Sequence, residues 1–333
     1  TGDLLKSTLK FKHKKSGYTY KYKIPEIQPI AYENKKLEIH PYILGALLGD
    51  GSLTNPTPAI CTADEEILDS FKKNLPEYDI NLDKCPTNVS LNIKYTIVAK
   101  NRFTNGWVNP LSREIKKLGL NKNAYNKFIP KKYLYSSINQ RMDLLRGILD
   151  TDGSINSSGS IEFCSVSKKL AEDVAFLCRG LGIRCEISEE WNKVGKEQIM
   201  PQGTIFKAKN PYYRVYIRTD KPVFKLSRKL NKIKKRKNTN NVSIKDIKLI
   251  KTHSSTCIKV DNEDRMFLTR DYIPTHNTID AASCSGWQYT FFPKSESVIS
   301  SSAANYIKLV TDKIEDGLLL IHPMFRKQRI TYE

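Results

Sequence analysis

The sequence predicts an α/β fold built twice and set beside a smaller, mainly β segment. Two observations carry the duplication. Ile43 to Gly51 (Ile-Leu-Gly-Ala-Leu-Leu-Gly-Asp-Gly) and Leu145 to Gly153 (Leu-Arg-Gly-Ile-Leu-Asp-Thr-Asp-Gly) are both apolar, small-residue runs of helical character that end in Asp-Gly. Beyond them, Ile60-Cys61-Thr62 follows Asp50 as Phe163-Cys164-Ser165 follows Asp152, and Leu111-Ser112-Arg113 is echoed by Leu226-Ser227-Arg228. Any one echo is coincidence; a series of them in one order is a repeat. The third observation is the alternating Lys, Tyr and Phe of Lys10 to Ile24, which reads as a hairpin turned at Ser16-Gly17 and supplies the β character outside the repeat.

The two helical runs suggest a site. Small residues in a helix face let two backbones approach closely, and Gly45 serves that purpose in the first run, with Gly147 read as shifted by one position in the second. If the helices pack side by side, Asp50 and Asp152 emerge together at one end, and the glycine after each suits a C-terminal cap. A pair of carboxylates with open positions around it is what a hard cation such as Mg²⁺ prefers, the remaining ligands being water, backbone and phosphate.

On these motifs the chain resembles the LAGLIDADG homing endonucleases. The resemblance implies a pseudo-two-fold α/β monomer of duplicated αββαββα-like halves over residues 41–238, divided into 41–140 and 141–238. It further implies that Asp50 and Asp152 hold Mg²⁺ and direct hydrolysis of one phosphodiester in each strand of a long double-stranded DNA target. Leu120 to Pro130 is similar to the segment such proteins carry before the second motif, and the lysine they place beside the cleavage centre matches Lys127; an ordinary surface lysine is an equal reading there. Lys237 is a weaker counterpart in the second half. A DNA-binding protein or maturase that keeps the fold without cutting is the alternative.

Charge supports a polyanionic partner. The chain carries a net charge of +20 at pH 7 and an isoelectric point near 9.5. Residues 278–333 hold as many acidic as basic side chains, so the whole excess lies before them. Tyr212 to Thr219 alternates as a strand that would put Arg214, Tyr216 and Arg218 on one face, where arginine can reach guanine edges in a major groove. Lys225 to Lys237 is the densest basic run, and its Arg228, Lys234, Lys235 and Arg236 are candidates for gripping phosphate or for a solvated face. The cysteines have no Cys-x-x-Cys spacing, which excludes a zinc ribbon and suits a reducing compartment. No apolar run is long enough to span a bilayer. The expected location is the cytoplasm of a bacterial or phage-infected cell.

Helices are expected over Asp64 to Leu75, Asn109-Pro110 to Leu118, Arg141 to Asp150 and Lys168 to Leu181, and strands over Ala59 to Thr62 and Leu91 to Ala99.

The end of the basic region adds a second resemblance. Val260-Asp261-Asn262-Glu263-Asp264, then Tyr272-Ile273-Pro274-Thr275-His276-Asn277-Thr278, is similar to the last two blocks of an intein. The side-chain amide of Asn277 can attack its own carbonyl, His276 can polarise that carbonyl, and Thr278 offers a hydroxyl to accept an upstream acyl group. Arg265 and Ile258 stand where such blocks often carry His and Asp, and Cys257 lies beside the second of these. The resemblance makes residues 1–40 and 239–277 parts of an all-β splicing domain and 278–333 a piece of the interrupted host. Its Cys- or Ser-led N-terminal piece is expected from a separate fragment or from sequence upstream of Thr1. The helix-then-strand pattern after Thr278 resembles the region behind the phosphate loop of a phage terminase large subunit.

Overall fold

The computed structural model describes residues 9–13, 17–82, 93–101, 108–192, 194–199, 205–207, 209–235, 241–246, 260–261, 266–269 and 271–276. Contacts divide the chain into two compact units, one of residues 26–240 and the other of residues 1–25 with 241–333.

The smaller unit opens with β1 (Lys10–His13) and β2 (Gly17–Tyr20), paired antiparallel with His13 opposite Gly17. Gly17 has a φ of 79°, a conformation that costs glycine nothing. Strand β3 (Lys23–Pro25) follows.

In the larger unit the first half runs α1 (Pro41–Asp50), β4 (Gly51–Ser52), β5 (Ala59–Thr62), α2 (Glu65–Asn74), β6 (Tyr78–Leu82), β7 (Ile93–Ala99) and α3 (Pro110–Lys117). A short helix α4 (Lys131–Leu134) leads into the second half. That half runs α5 (Ile138–Asp152), β8 (Gly153–Ile155), β9 (Ile161–Ser165), α6 (Lys168–Gly180) and β10 (Arg184–Glu190). The hairpin of β11 (Glu197–Ile199) and β12 (Ile205–Lys207) follows, then β13 (Tyr212–Arg218) and α7 (Ser227–Leu230). The first half is therefore helix, two strands, helix, two strands, helix, and the second half keeps that order with the β11–β12 hairpin added between β10 and β13. Both four-stranded antiparallel sheets have the same order, β4-β5-β7-β6 and β8-β9-β13-β10.

Helix α1 is apolar all round, and Tyr42, Ile43, Leu44, Leu47 and Leu48 are wholly buried. A helix of that kind belongs in a core rather than on a surface. It lies against α5, and Gly45 and Gly147 meet at the crossing. A Cβ on Gly45 would stand 2.2 Å from the Leu144 carbonyl oxygen, and one on Gly147 would stand 2.1 Å from that of Tyr42. The two glycines occupy the same position of their repeats; the one-position shift read from sequence is corrected. α5 begins on a capping box, in which the Ser137 hydroxyl accepts from the Gln140 backbone and the Gln140 side chain accepts from the Ser137 N–H.

Gly51 and Gly153, expected as left-handed caps, are extended instead, with φ of −86° and −85°. Crowding explains these glycines. A Cβ at Gly51 would lie 2.3 Å from the Leu47 carbonyl oxygen, and one at Gly153 would lie 2.5 Å from that of Leu149. Where the chain turns sharply from helix into strand, a side chain has no room.

Residues 26–40 run along the larger unit. The Lys35 N–H donates to Gln140 and the Ile39 N–H to the Tyr133 hydroxyl, while buried Arg141 donates to the carbonyls of Ser136 and Gly180, and of Ile30. The smaller unit resumes with β14 (Asn241–Ser243), paired with β3, and β15 (Met266–Leu268), paired antiparallel with β16 (Pro274–His276). The last hairpin turns through Tyr272, a non-glycine residue at a φ of 58°. No described helix is long and apolar enough to cross a membrane.

Candidate metal and DNA site

The paired motif helices bring Asp50 and Asp152 to the same end. Any side chain at Gly49 would reach within 3.4 Å of the Asp152 carboxyl carbon, so the second carboxylate leans over the end of the first helix. The two acids feel each other. Burial first, and then the charge of Asp50, push the Asp152 carboxyl up to about 6, with Lys127 and Lys229 pulling it down. Asp50 stays solvent-exposed, yet the protein packed around it still raises its carboxyl above the ordinary range against the pull of the same two lysines.

Lys127 reaches this pair from the loop before α4. Its Nζ donates to the carbonyl oxygens of Leu48 (2.8 Å), Gly49 (2.8 Å) and Gly51 (3.3 Å). These belong to the end of α1, where carbonyls lack helical partners and the helix dipole favours a cation. Burial lowers the lysine's pKa, while Asp152 and Asp50 raise it. With its hydrogens so committed, this ammonium is a fixed positive charge beside two carboxylates.

The second half repeats the device with a residue that the sequence reading passed over. Lys229 Nζ donates to the carbonyl oxygens of Leu149 (2.8 Å), Asp150 (2.6 Å) and Gly153 (2.7 Å), at the end of α5. Burial brings its pKa down to about 8. Lys237, proposed as the counterpart of Lys127, lies outside the described residues. The missed signal was spacing: Lys229 follows Asp152 by the same number of residues as Lys127 follows Asp50.

Asp150 is a further residue the sequence did not single out. It is buried, and its carboxylate accepts from the Tyr42 hydroxyl at 2.8 Å and from the backbone N–H groups of Lys225 and Leu226. It joins both motif helices to the segment that carries Lys229.

Of the expected DNA-reading residues, Arg214, Tyr216 and Arg218 do share one face of β13, opposite buried Val215 and Ile217. Arg214 donates to Glu162 at 2.9 Å, and its guanidinium lies 5.8 Å from the ring centroids of both Tyr212 and Tyr216. Arg218 stands opposite Arg184 in the register. Like charges opposed across strands repel, so this pair suits an anion above it. Arg184 was not anticipated. Lys234 and Lys235 are exposed, Lys234 lying across Gly159 in the β8–β9 turn. Arg228, half-exposed, pairs its guanidinium with Asp64 through contacts of 2.8 and 2.7 Å. Arg236, Asn277 and Thr278 lie outside the described residues. His276 ends β16, with its backbone opposite Met266.

Among the described residues no group of three or more His, Cys, Asp or Glu side chains could enclose a metal ion. A two-carboxylate set fits Mg²⁺ nonetheless, because that ion keeps several waters and completes its shell with phosphate oxygens. Burial, and after it the charge of Asp50, raises the Asp152 carboxyl, and a cation beside the pair would offset both.

A duplicated αββαββα body with glycine-packed helices and an acid at the end of each defines the LAGLIDADG class of fold. Family models agree, half by half: residues 39–101 match the WhiA LAGLIDADG-like domain and residues 139–221 match the LAGLIDADG-like domain. The chain thus carries two LAGLIDADG-like domains. It is 30% identical over 251 residues to the replicative DNA helicase DnaB of Mycobacterium intracellulare, a match over 74% of this chain and 36% of that protein. An uncharacterized protein of Methanocaldococcus jannaschii is 27% identical over 172 residues, 46% of this chain and 18% of its own length. The chain therefore spans well under half of either curated relative. Among solved structures, a mesophilic variant of the homing endonuclease I-DmoI matches at 14% identity and a TM-score of 0.35, over 59% of this chain and 92% of that one. The complex of I-DmoI with DNA and Ca matches equally at 14% and 0.35, over 54% and 83%. The relative found is a helicase and gives no support to the reading of residues 278–333 as terminase; those residues lie outside the described structure.

Proposed function

We propose that this chain includes the C-terminal portion of an intein lodged in a DnaB-like replicative helicase, and that it carries a homing endonuclease cutting both strands of a long DNA target. The observation that carries the reading is the pairing of Asp50 with Asp152, each at the end of a glycine-packed helix whose final carbonyls hold a lysine. In this reading Asp50 and Asp152 hold Mg²⁺, which when bound supplies Lewis acidity at the phosphate and an activated water. Lys127 and Lys229 set a fixed positive charge against the phosphate, offsetting charge that grows during displacement. The outer faces of the two sheets lie along the grooves. Arg184, Arg214, Tyr216 and Arg218 read bases or hold phosphate, and Lys234 and Lys235 add salt-dependent backbone affinity. A protein that binds DNA without cutting is the second reading.

The test is cleavage of a plasmid carrying the host coding sequence joined without its intein, so that the sequence upstream of the intein runs directly into the codons from Thr278 onward. With Mg²⁺ the wild type is expected to linearise the plasmid and EDTA to stop it. Specific binding with no nicking in Mg²⁺ or Mn²⁺ would establish the second reading.

Splicing is a separate test. In the reading proposed here, the acyl group of the upstream flank passes from its thioester on the leading Cys to the Thr278 hydroxyl, freeing that thiol; Asn277 then cyclises, with His276 polarising the carbonyl, and the released Thr278 amine takes the acyl group from the hydroxyl as an amide. Co-expression with a Cys-led N-terminal intein piece is expected to yield a product joining that piece's flank to Thr278, detectable by mass, and Asn277→Ala is expected to abolish it. The same product from the Ala variant sinks the assignment.

A further inference from the structure

The segments bearing the two lysines are each held by the opposite half of the molecule, at equivalent points. Asp64 stands at the N-cap position of α2 but makes no side-chain cap for its own helix. Its carboxylate instead accepts both contacts from Arg228, at 2.8 and 2.7 Å, next to Lys229. Two residues on, Glu66 accepts from the Ser227 N–H (3.0 Å) and hydroxyl (2.9 Å). The equivalent N-cap of the second half, Ser167, lies as far beyond Cys164 as Asp64 lies beyond Cys61. Its hydroxyl donates to the Lys127 carbonyl at 2.7 Å, and Asp173 in the same helix accepts from the Ile129 N–H at 2.9 Å. Each half thus grips the lysine segment of the other.

This matters most for Lys229. Helix α7 spans only Ser227–Leu230, and so short a helix has little stability of its own. Its orientation is set by what holds it: Asp150 at its start, and Asp64 with Glu66 from the first half. The bidentate fork between guanidinium and carboxylate fixes direction as well as distance. A half-exposed pair of this kind adds little to global stability, so its use is geometric.

We propose that Asp64 and Arg228 are positioning residues that aim Lys229 at the carboxylate pair, so that the first half governs the lysine serving one DNA strand while Ser167 does the same for Lys127. The proposal rests on the nuclease reading only for its consequence in cleavage, and its first test does not use DNA. In the intact chain, acylation of lysines by an N-hydroxysuccinimide ester is followed by peptide mass spectrometry. In the wild type Lys229 and Lys127 are expected to be protected relative to exposed Lys234. Asp64→Ala and Arg228→Ala are each expected to raise labelling of Lys229 on the order of tenfold or more while Lys127 stays protected, which also shows that the variant is folded. Asp64→Arg combined with Arg228→Asp is expected to restore protection. If Lys229 remains protected in both single variants, or if the swap fails to restore it, the proposal is overturned.

Strand-resolved cleavage is the second test. In either single variant a nicked plasmid is expected to accumulate, with one strand cut on the order of 10²-fold more slowly at unchanged KM. Ser167→Ala is expected to slow the other strand. Equal slowing of both strands would overturn the division of labour. A wild type that cuts nothing would sink the nuclease reading and leave the labelling result to judge the positioning by itself.

Discussion

Asp152→Asn is expected to abolish cleavage and, in the same protein, to raise stability near neutral pH. The Asp152 carboxyl is pushed up to about 6, burial being the larger cause and the charge of Asp50 the next. Its folded-state value therefore lies above that of the unfolded chain, and between roughly pH 4 and 6 the folded protein binds the extra proton. Stability associated with that proton is complete below the unfolded value and is lost as pH rises through the folded one. At pH 7 the wild type carries the whole cost, on the order of 1–3 kcal/mol, which an uncharged amide of the same shape avoids. Urea unfolding without divalent cations should place the variant's midpoint above the wild type's at pH 7, the two converging near pH 4. Adding Mg²⁺ should narrow the gap at pH 7 by stabilising only the wild type, since a ligand that binds the folded state raises its stability. Plasmid nicking should fall by on the order of 10³-fold, as expected when an electrostatic centre of catalysis is removed. The same loss is expected for Asp50→Asn. Nicking at wild-type rate by either variant would refute the metal assignment, and equal midpoints at pH 7 would refute the electrostatic cost.

Gly147→Ala is the substitution with the largest expected effect on the fold. The added methyl would lie 2.1 Å from the Tyr42 carbonyl oxygen and 2.8 Å from the Ala46 nitrogen, both backbone atoms that no rotamer change can move aside. The helices must separate, and the buried contacts of Tyr42, Leu144 and Ile148 around them are lost as they do so. A cost of about 3–5 kcal/mol places the change among the most damaging single substitutions. Thermal unfolding should fall by roughly 6–20 °C for a unit of this size. Cleavage should fall further than stability alone requires, because a wider helix pair carries Asp50 and Asp152 apart. Gly45→Ala, whose methyl would meet the Leu144 carbonyl at 2.2 Å, should behave alike. Wild-type thermal stability in both would show that the helices do not meet through these glycines.

Much of this architecture is written locally in the chain. The motif runs can be placed because an apolar stretch closing in Asp-Gly occurs twice, and the order of elements follows from a repeat that can be counted. Arg214, Tyr216 and Arg218 share a face because strand side chains alternate, a rule that needs only the strand. Asp50 and Asp152 could be chosen because they close the same motif twice.

What the sequence left open depended on contacts between distant segments. The pairing of Arg228 with Asp64 joins residues far apart in the chain, and Lys229 is one more residue in a basic run until it reaches the end of α5. Asp150 lies within an apolar helix with no local reason to be acidic; its partners, Tyr42 and the N–H groups of Lys225 and Leu226, come from remote stretches of chain. Gly51 and Gly153 suggest a left-handed cap from composition, whereas the crowding that requires them exists only once helix and strand are joined at that angle. The sequence by itself determined the duplication, the motif helices and the two acids, since periodicity and repetition are properties of the chain. Tertiary structure alone decided which basic residues attend those acids and which are tied down elsewhere, because a lysine's role is set by the carbonyls and carboxylates within its reach.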